Sequence, residues 1–321
     1  MKNPIKKVLV VGGAGYIGGA VTDILIKNNI PFTVYDKLLY ENQYLKPVDF
    51  MFGDVRDTKK LSKILPEYSH VIWLAAIVGD GACQIKPELT IAVNQDSVKW
   101  LSENYDGRII FLSTCSVYGI HDGLADETSP LEPLSLYAKT KLQAEKYLSN
   151  KNSLILRLGT VFGVSDEHSR LRMDLVVNYM TARAINLGGL QIFGGEQWRP
   201  LVHAKDVAKT IVDGLDKDLG GIYNIATINS KIKDLGQQIS DITGSDIEWI
   251  EQKFEDLRNY RVITDRAEAD GLLNISSNYS PQDGAKEIMD LIKNGRVKYT
   301  DSDVYFNERH ISNLLKNGEL E

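Results

Sequence analysis

At 321 residues the chain is long enough for one large domain or two intimately packed ones. A hydrophobic content of 43% with 25% charged residues is ordinary for a soluble globular protein, and a net charge of −6 argues against general nucleic-acid binding, which shows a basic excess. The only cysteines, Cys83 and Cys115, are too few for a disulfide framework, and the five scattered histidines form no H-E-x-x-H pattern, so no metal is expected.

The apolar run after the basic start MKNPIKK is too short for a signal-peptide core or a membrane span, which makes the cytoplasm the expected location. Val8 to Val11 form a continuous apolar run, as a strand buried on both faces requires. Ile17, Ala20, Val21, Ile24 and Leu25 then fall on one helical stripe that ends at Asn28-Asn29, and PFTVYD is the second strand. The alternation continues with a strand over 70–76, a helix over Glu88–Asn104, a strand over 108–114, a helix through SLYAKTKLQAE (135–145) and a strand over 153–159. Strands alternating with helices imply right-handed βαβ units, hence an α/β protein built on a Rossmann-type, doubly wound parallel sheet.

Beyond about residue 165 the alternation becomes irregular. Residues 170–188 read as a helix, 201–215 as a strand turning into a helix, and 221–226 as a strand returning to the main sheet. Residues 231–244 and 280–295 are amphipathic helices, the second opened by Ser280-Pro281 and Asp283 and followed by Gly295.

GGAGYIGG joins the first strand to the first helix. Gly13, Gly15 and Gly18 fit G-x-G-x-x-G, while Gly12, Gly15 and Gly18 fit G-x-x-G-x-x-G. Glycines there permit positive φ and let a pyrophosphate approach the helix N-terminus, where free N–H groups and the dipole favour anions. The pattern alone is weak; the strand before it, the helix after it, and Asp36 at the end of the second strand complete a dinucleotide fingerprint. Asp36 is placed to accept from ribose hydroxyls, and with no arginine beside it the expected cofactor is NAD.

Tyr137 and Lys141 are four residues apart on a helix and so share a face, whereas Lys139 points elsewhere. An ammonium near a phenol lowers its pKa and makes it a usable acid/base, and Thr114, at the end of a neighbouring strand, would polarise a substrate oxygen.

With these residues the chain resembles the extended short-chain dehydrogenase/reductases, specifically the NAD-dependent epimerase/dehydratase group acting on nucleotide sugars. The matching stretches include GGAGYIG, Asp36, GDV (53–55), LAA (74–76), VN (93–94), STCSVYG (113–119), YAKTK (137–141), LRLGTVFG (156–163) and WRPLVHAKDVA (198–208). The resemblance implies a catalytic set of Thr114, Tyr137 and Lys141. It also implies cofactor contacts at Gly12, Gly15, Tyr16, Ile17, Gly18, Asp36, Asp54, Val55, Leu74, Ala75, Ala76 and Asn94, besides Tyr137 and Lys141.

On the substrate side it suggests Cys115, Ser116, Asn178, Arg199, Arg258 and Arg261, the arginines meeting a diphosphate. The implied activity is hydride transfer at a sugar carbon, usually C4, through a 4-keto sugar. The leading reading is epimerisation, with net 4-dehydrogenation or keto-sugar reduction as the alternative. A 4,6-dehydratase is disfavoured because Cys115-Ser116 stands where those enzymes carry Asp-Glu, and a non-catalytic NAD sensor because the whole catalytic set is present.

The expected division is an NAD-binding domain over 1–165, with 200–228 returning to it. A smaller mixed substrate domain would span 166–199 and 229–298, and a polar tail over 299–321 would be either a docking arm or loose. The family's habit implies a homodimer, paired through Glu88–Asn104 and Leu134–Ser149 with apolar residues such as Leu142 toward the partner.

Overall fold

Val8 and Val10 join one apolar cluster and Leu9 and Val11 another, because successive side chains of a strand leave opposite faces of the sheet. The computed structural model describes residues 5–41, 43–250 and 259–320, apart from the side chain of Ser277. Its strands are β1 (Val8–Val11), β2 (Phe32–Asp36), β3 (Phe50–Phe52), β4 (His70–Trp73), β5 (Arg108–Thr114), β6 (Ile120–Ala125), β7 (Ser153–Leu158), β8 (Thr160–Phe162), β9 (Gly189–Phe193), β10 (Trp198–His203), β11 (Gly221–Ile225), β12 (Ile228–Lys231), β13 (Asp246–Ile250) and β14 (Asn259–Val262). Its helices are α1 (Tyr16–Lys27), α2 (Thr58–Ile64), α3 (Asp80–Ile85), α4 (Pro87–Ile91), α5 (Ser97–Asn104), α6 (Leu136–Leu148), α7 (Val176–Leu187), α8 (Ala204–Asp213), α9 (Ile232–Thr243), α10 (Asp265–Ala269), α11 (Pro281–Lys293) and α12 (Asn307–Lys316).

Seven parallel strands form the main sheet in the order β11-β7-β5-β4-β1-β2-β3. Both faces are covered. Ala20, Val21 and Leu25 of α1 and Val207, Ala208 and Ile211 of α8 pack against one; Leu61 of α2, Leu101 of α5 and Ala144 and Leu148 of α6 pack against the other. The strand order reverses between β1 and β4, which opens a crevice at the carboxyl ends of the strands.

A separate cluster gathers Val177 and Met180 of α7, Leu235 and Ile239 of α9 and Ala285 of α11. Two small sheets, β12-β10-β8 and β13-β9, frame it, while a third, β14-β6, packs Ala125, Tyr260 and Val262 around Cys115 and Tyr118.

Two sequence readings are revised. The helix expected over 170–188 begins only at Val176; Arg172 and Asp174 pair with each other, and Asn178 ties back to Arg172 O at 2.8 Å, so 170–175 stays outside the helix. The helix expected over Glu88–Asn104 is broken by a π-turn over Ala92–Asp96. The polar C-terminal segment docks: Ile311 and Leu320 are buried with Ile77, Ala82, Cys83 and Leu89. Among the described residues no helix is long and apolar enough to cross a membrane, and no group of three or more His, Cys, Asp or Glu is placed to hold a metal ion.

Candidate active site

The crevice holds a cavity of about 1070 Å³, and the turn between β1 and α1 forms one end of it. Gly12 has φ +82°, and a Cβ there would strike the backbone of Leu74 and Ala75, whose N–H groups donate to Val11 O at 2.8 and 3.0 Å. A Cβ on Gly18 would run into the Gly13 backbone, so this glycine lets α1 pack tightly behind the turn.

Gly15 differs. Its φ of −79° suits any residue, a Cβ would meet only Gly12 O at 3.2 Å, and it lines the cavity. Glycine at Gly15 therefore serves the approach of a ligand rather than the fold. Helix α1 starts behind it with no capping side chain and no acidic residue in its first turn, which leaves its N–H groups to an anion. These features fit a dinucleotide pyrophosphate.

Tyr16, Ile17, Val55, Leu74, Ala75 and Ala76 continue the wall. Asp36 accepts from Ala14 N–H at 3.0 Å and Leu38 N–H at 2.7 Å, while burial lifts its pKa above the ordinary carboxylate value. Burial also opposes the charge of Asp54, yet bonds from Arg56 at 2.8 Å and Lys37 at 2.9 Å outweigh it and hold that carboxyl below its usual range. Lys37 is thus engaged by Asp54.

Thr114 from β5 and Tyr137 and Lys141 from α6 line the same cavity. Ser135 caps α6, accepting from Ala138 N–H at 3.2 Å, which sets Tyr137 in the first turn and Lys141 one turn later; Lys139 is exposed. The Thr114 hydroxyl oxygen accepts from Ser116 N–H at 3.1 Å, leaving its own proton to be donated. Burial draws the Lys141 ammonium down to about 7, against the opposing influence of Glu145 and then Cys83. Burial pushes the Tyr137 phenol above its ordinary value, Cys83 adds to this, and Arg172 opposes it. The expected depression of the phenol by Lys141 is therefore not what the chain's own groups produce. A lysine so desolvated carries only part of its charge at neutral pH.

A buried network fixes the helix to the strand. Ser113 Oγ donates to Glu145, and Arg157 donates to Glu145 through Nη2 at 2.7 Å and Nε at 3.1 Å. Arg157 also donates to Tyr118 Oη at 3.0 Å, which donates to Asn224 at 2.7 Å. Ser113 precedes Thr114 and Glu145 lies one turn beyond Lys141, so this network sets Thr114 on its strand in register with Tyr137 and Lys141 on their helix.

The remaining expectations divide. Ser116 and Arg199 line the cavity, with Arg199 donating to Trp198 O at 2.8 Å. Asn94, in the π-turn, is buried off the cavity and grips the backbone of Ile77, accepting from its N–H and donating to its oxygen, both at 2.8 Å. Cys115 is fully buried, donates to Arg157 O at 3.2 Å and does not reach the cavity wall. Asn178 is likewise buried away from it, accepting from Gly163 N–H at 2.9 Å. On β14 the inward position belongs to Tyr260, and Arg261 lies 5.0 Å from the Trp198 ring instead. Arg258 lies outside the described residues. Leu142, expected toward a partner, is half-buried against the cluster around Cys115 and Tyr118.

Sequence reasoning passed over Arg170, Arg172 and Arg183, which line the far end, and Phe306, Asn307 and Arg309 of the C-terminal segment. The run RLRMD carried the signal for the first two, hidden by its merging with a helical apolar pattern.

Residues 8–226 match the NAD dependent epimerase/dehydratase family. A putative UDP-glucose 4-epimerase of Methanocaldococcus jannaschii is 29% identical over 304 residues, covering 89% of this chain and 98% of that one. UDP-arabinose 4-epimerase 1 of Arabidopsis thaliana is 30% identical, covering 76% and 68%. Among solved structures, the UDP-glucose 4-epimerase of Thermotoga maritima with UDP-glucose superposes with a TM-score of 0.78 at 24% identity, covering 91% of this chain and 100% of that one. The Thermus thermophilus UDP-glucose 4-epimerase with NAD gives 0.76 at 23% identity, covering 88% and 99%. With that match spanning the turn, helix α6 and the main sheet, the chain belongs to the NAD-dependent epimerase/dehydratase family.

Proposed function

We propose that the chain is an NAD-dependent nucleotide-sugar 4-epimerase working through a 4-keto sugar. The observation that carries this is the opening of the dinucleotide turn and of Thr114, Tyr137 and Lys141 onto one cavity. Relatives named as 4-epimerases of UDP-glucose and UDP-arabinose support C4 as the reacting carbon.

NAD, when bound, supplies the acceptor and donor of hydride. Tyr137 takes the proton of the sugar hydroxyl and returns it, and Thr114 donates to the same oxygen. Positive charge brought into the cavity on binding would favour the Tyr137 phenolate, offsetting the burial that raises its pKa in the chain alone. Lys141 adds positive charge and a donor for the nicotinamide ribose. Arg199, with Arg172, suits the diphosphate. Cys115, buried and with its thiol pushed up by burial, is in keeping with a 4,6-dehydratase being disfavoured, since those enzymes carry an acid there.

The proposal extends to a homodimer through Glu88–Asn104 and Leu134–Ser149, tested by sedimentation, and to a cytoplasmic location, tested by fractionation. The activity is tested by incubating purified protein with UDP-, GDP-, dTDP- and CDP-sugars. An isomeric product without net NADH is the expected result; NADH accumulating at 340 nm in step with sugar consumed would replace epimerisation by net dehydrogenation.

A further inference from the structure

The C-terminal segment, beyond the family match at 8–226, builds a wall of the cavity. Its pivot is Asn307, 3% exposed. The Asn307 N–H donates to Asp174 at 3.0 Å, its side-chain amide donates to Val78 O at 2.8 Å, and its side-chain oxygen accepts from Arg170. One residue thus links the loop after β4 to the cluster in which Arg172 pairs with Asp174.

Other contacts hold the segment down. His310 Nε2 lies 3.0 Å from Leu39 O, Lys86 donates to Leu320 O at 2.9 Å, and Ile311 and Leu320 are buried beside Tyr137. Ala82 and Cys83 of α3 are buried in one cluster with Ile311 of α12, so the two helices pack on one another. Phe306 and Arg309 line the cavity from this side.

We infer that the arm over Asp303–Leu320 is part of the active site, with Asn307 as a positioning residue that keeps the keto sugar and the cofactor inside between the two half-reactions. The inference rests on the epimerase reading. Oxidation transfers hydride from the sugar carbon to NAD and the hydroxyl proton to Tyr137; reduction reverses both. A keto sugar that escapes in between leaves one NADH behind for each molecule lost. An arm pinned at Val78, Asp174 and Leu39 opposes that escape.

The test compares the full-length protein with Asn307→Ala and Ile311→Ala, using NAD and whichever sugar nucleotide of the panel the wild type isomerises. One readout is the NAD retained through gel filtration, measured by absorbance and mass. The other is the ratio of NADH left behind to isomer formed. Both variants should lose NAD about tenfold faster, the scale of one lost hydrogen bond at Asn307 and of lost apolar burial at Ile311, and raise the ratio several-fold. A merely structural defect would lower both products together and leave the ratio unchanged. A wild type that isomerises its sugar, with both variants equal to it in retention and ratio, would overturn the arm's role alone. A wild type that neither retains NAD nor isomerises any of the sugars would sink the functional reading and this inference with it.

Discussion

Lys141 Nζ lies 4.2 Å from the centroid of the Phe111 ring, a buried cation set over the face of a buried aromatic. The ring's negative face partly replaces lost water, in the manner of cation–π pairs. It does not replace all of it, since burial still brings the ammonium down to about 7.

This lysine should therefore cost stability where it is charged. The unfolded chain holds its proton to near 10.5 and the folded chain only to about 7. Below pH 7 the folded state carries the full penalty, and stability rises as pH climbs from 7 toward 10.5. Lys141→Met should be more stable than wild type by about 2–4 kcal/mol at pH 6, with the gain fading toward pH 10. Urea unfolding at both pH values checks this; the same gain at each would refute it.

Tyr137→Phe should lower kcat about 10³-fold while NAD stays bound, because only the proton path is cut. Thr114→Val should cost about 10–10²-fold, the loss of one hydrogen bond to the reacting oxygen. Single-turnover rates at saturating sugar decide the matter, and an unaltered Tyr137→Phe rate would remove the phenol from the mechanism.

Gly15→Ala and Gly18→Ala should part company. At Gly15 the backbone accepts alanine and the new methyl would press on Gly12 O at 3.2 Å at the cavity wall, so melting should fall only slightly while NAD affinity falls about 10²-fold. At Gly18 the methyl meets the Gly13 backbone, so the fold itself should suffer. Calorimetry beside NAD titration separates the two.

Glu145→Gln should destabilise the chain by about 3–5 kcal/mol, because Arg157 would be left buried without its counter-charge. Adding Arg157→Met should recover most of that loss. A denaturant double-mutant cycle with no coupling between the sites would contradict the pairing.

Much of this arrangement is legible in the sequence where local pattern decides it. The runs at β1, β4 and β5 are continuous because both sheet faces are buried, and the shared face of Tyr137 and Lys141 follows from helical spacing, which gains meaning only beside the glycine turn, Asp36 and Thr114. What escapes is set by distant partners. Asn178 and Cys115 look like site residues until Gly163 and Arg157 are seen to claim them. Alternation on β14 turns Tyr260 inward and Arg261 outward, which required knowing that a strand lies there. The C-terminal arm is polar nearly throughout and is anchored by Ile311 and Leu320 against residues some 230 positions earlier, such as Lys86, a separation that no local window spans.

The buried seam of Ser113, Glu145 and Arg157 gives the molecule an unequal capacity for change. The strand and the helix that carry Thr114, Tyr137 and Lys141 are clamped to one another by buried charge, whereas Arg170, Arg172, Arg183 and the arm come from segments outside the main sheet. A substitution that weakens this seam should therefore displace Thr114 and Lys141 together, whereas one at Arg170, Arg172 or Arg183 should leave their mutual placement unchanged.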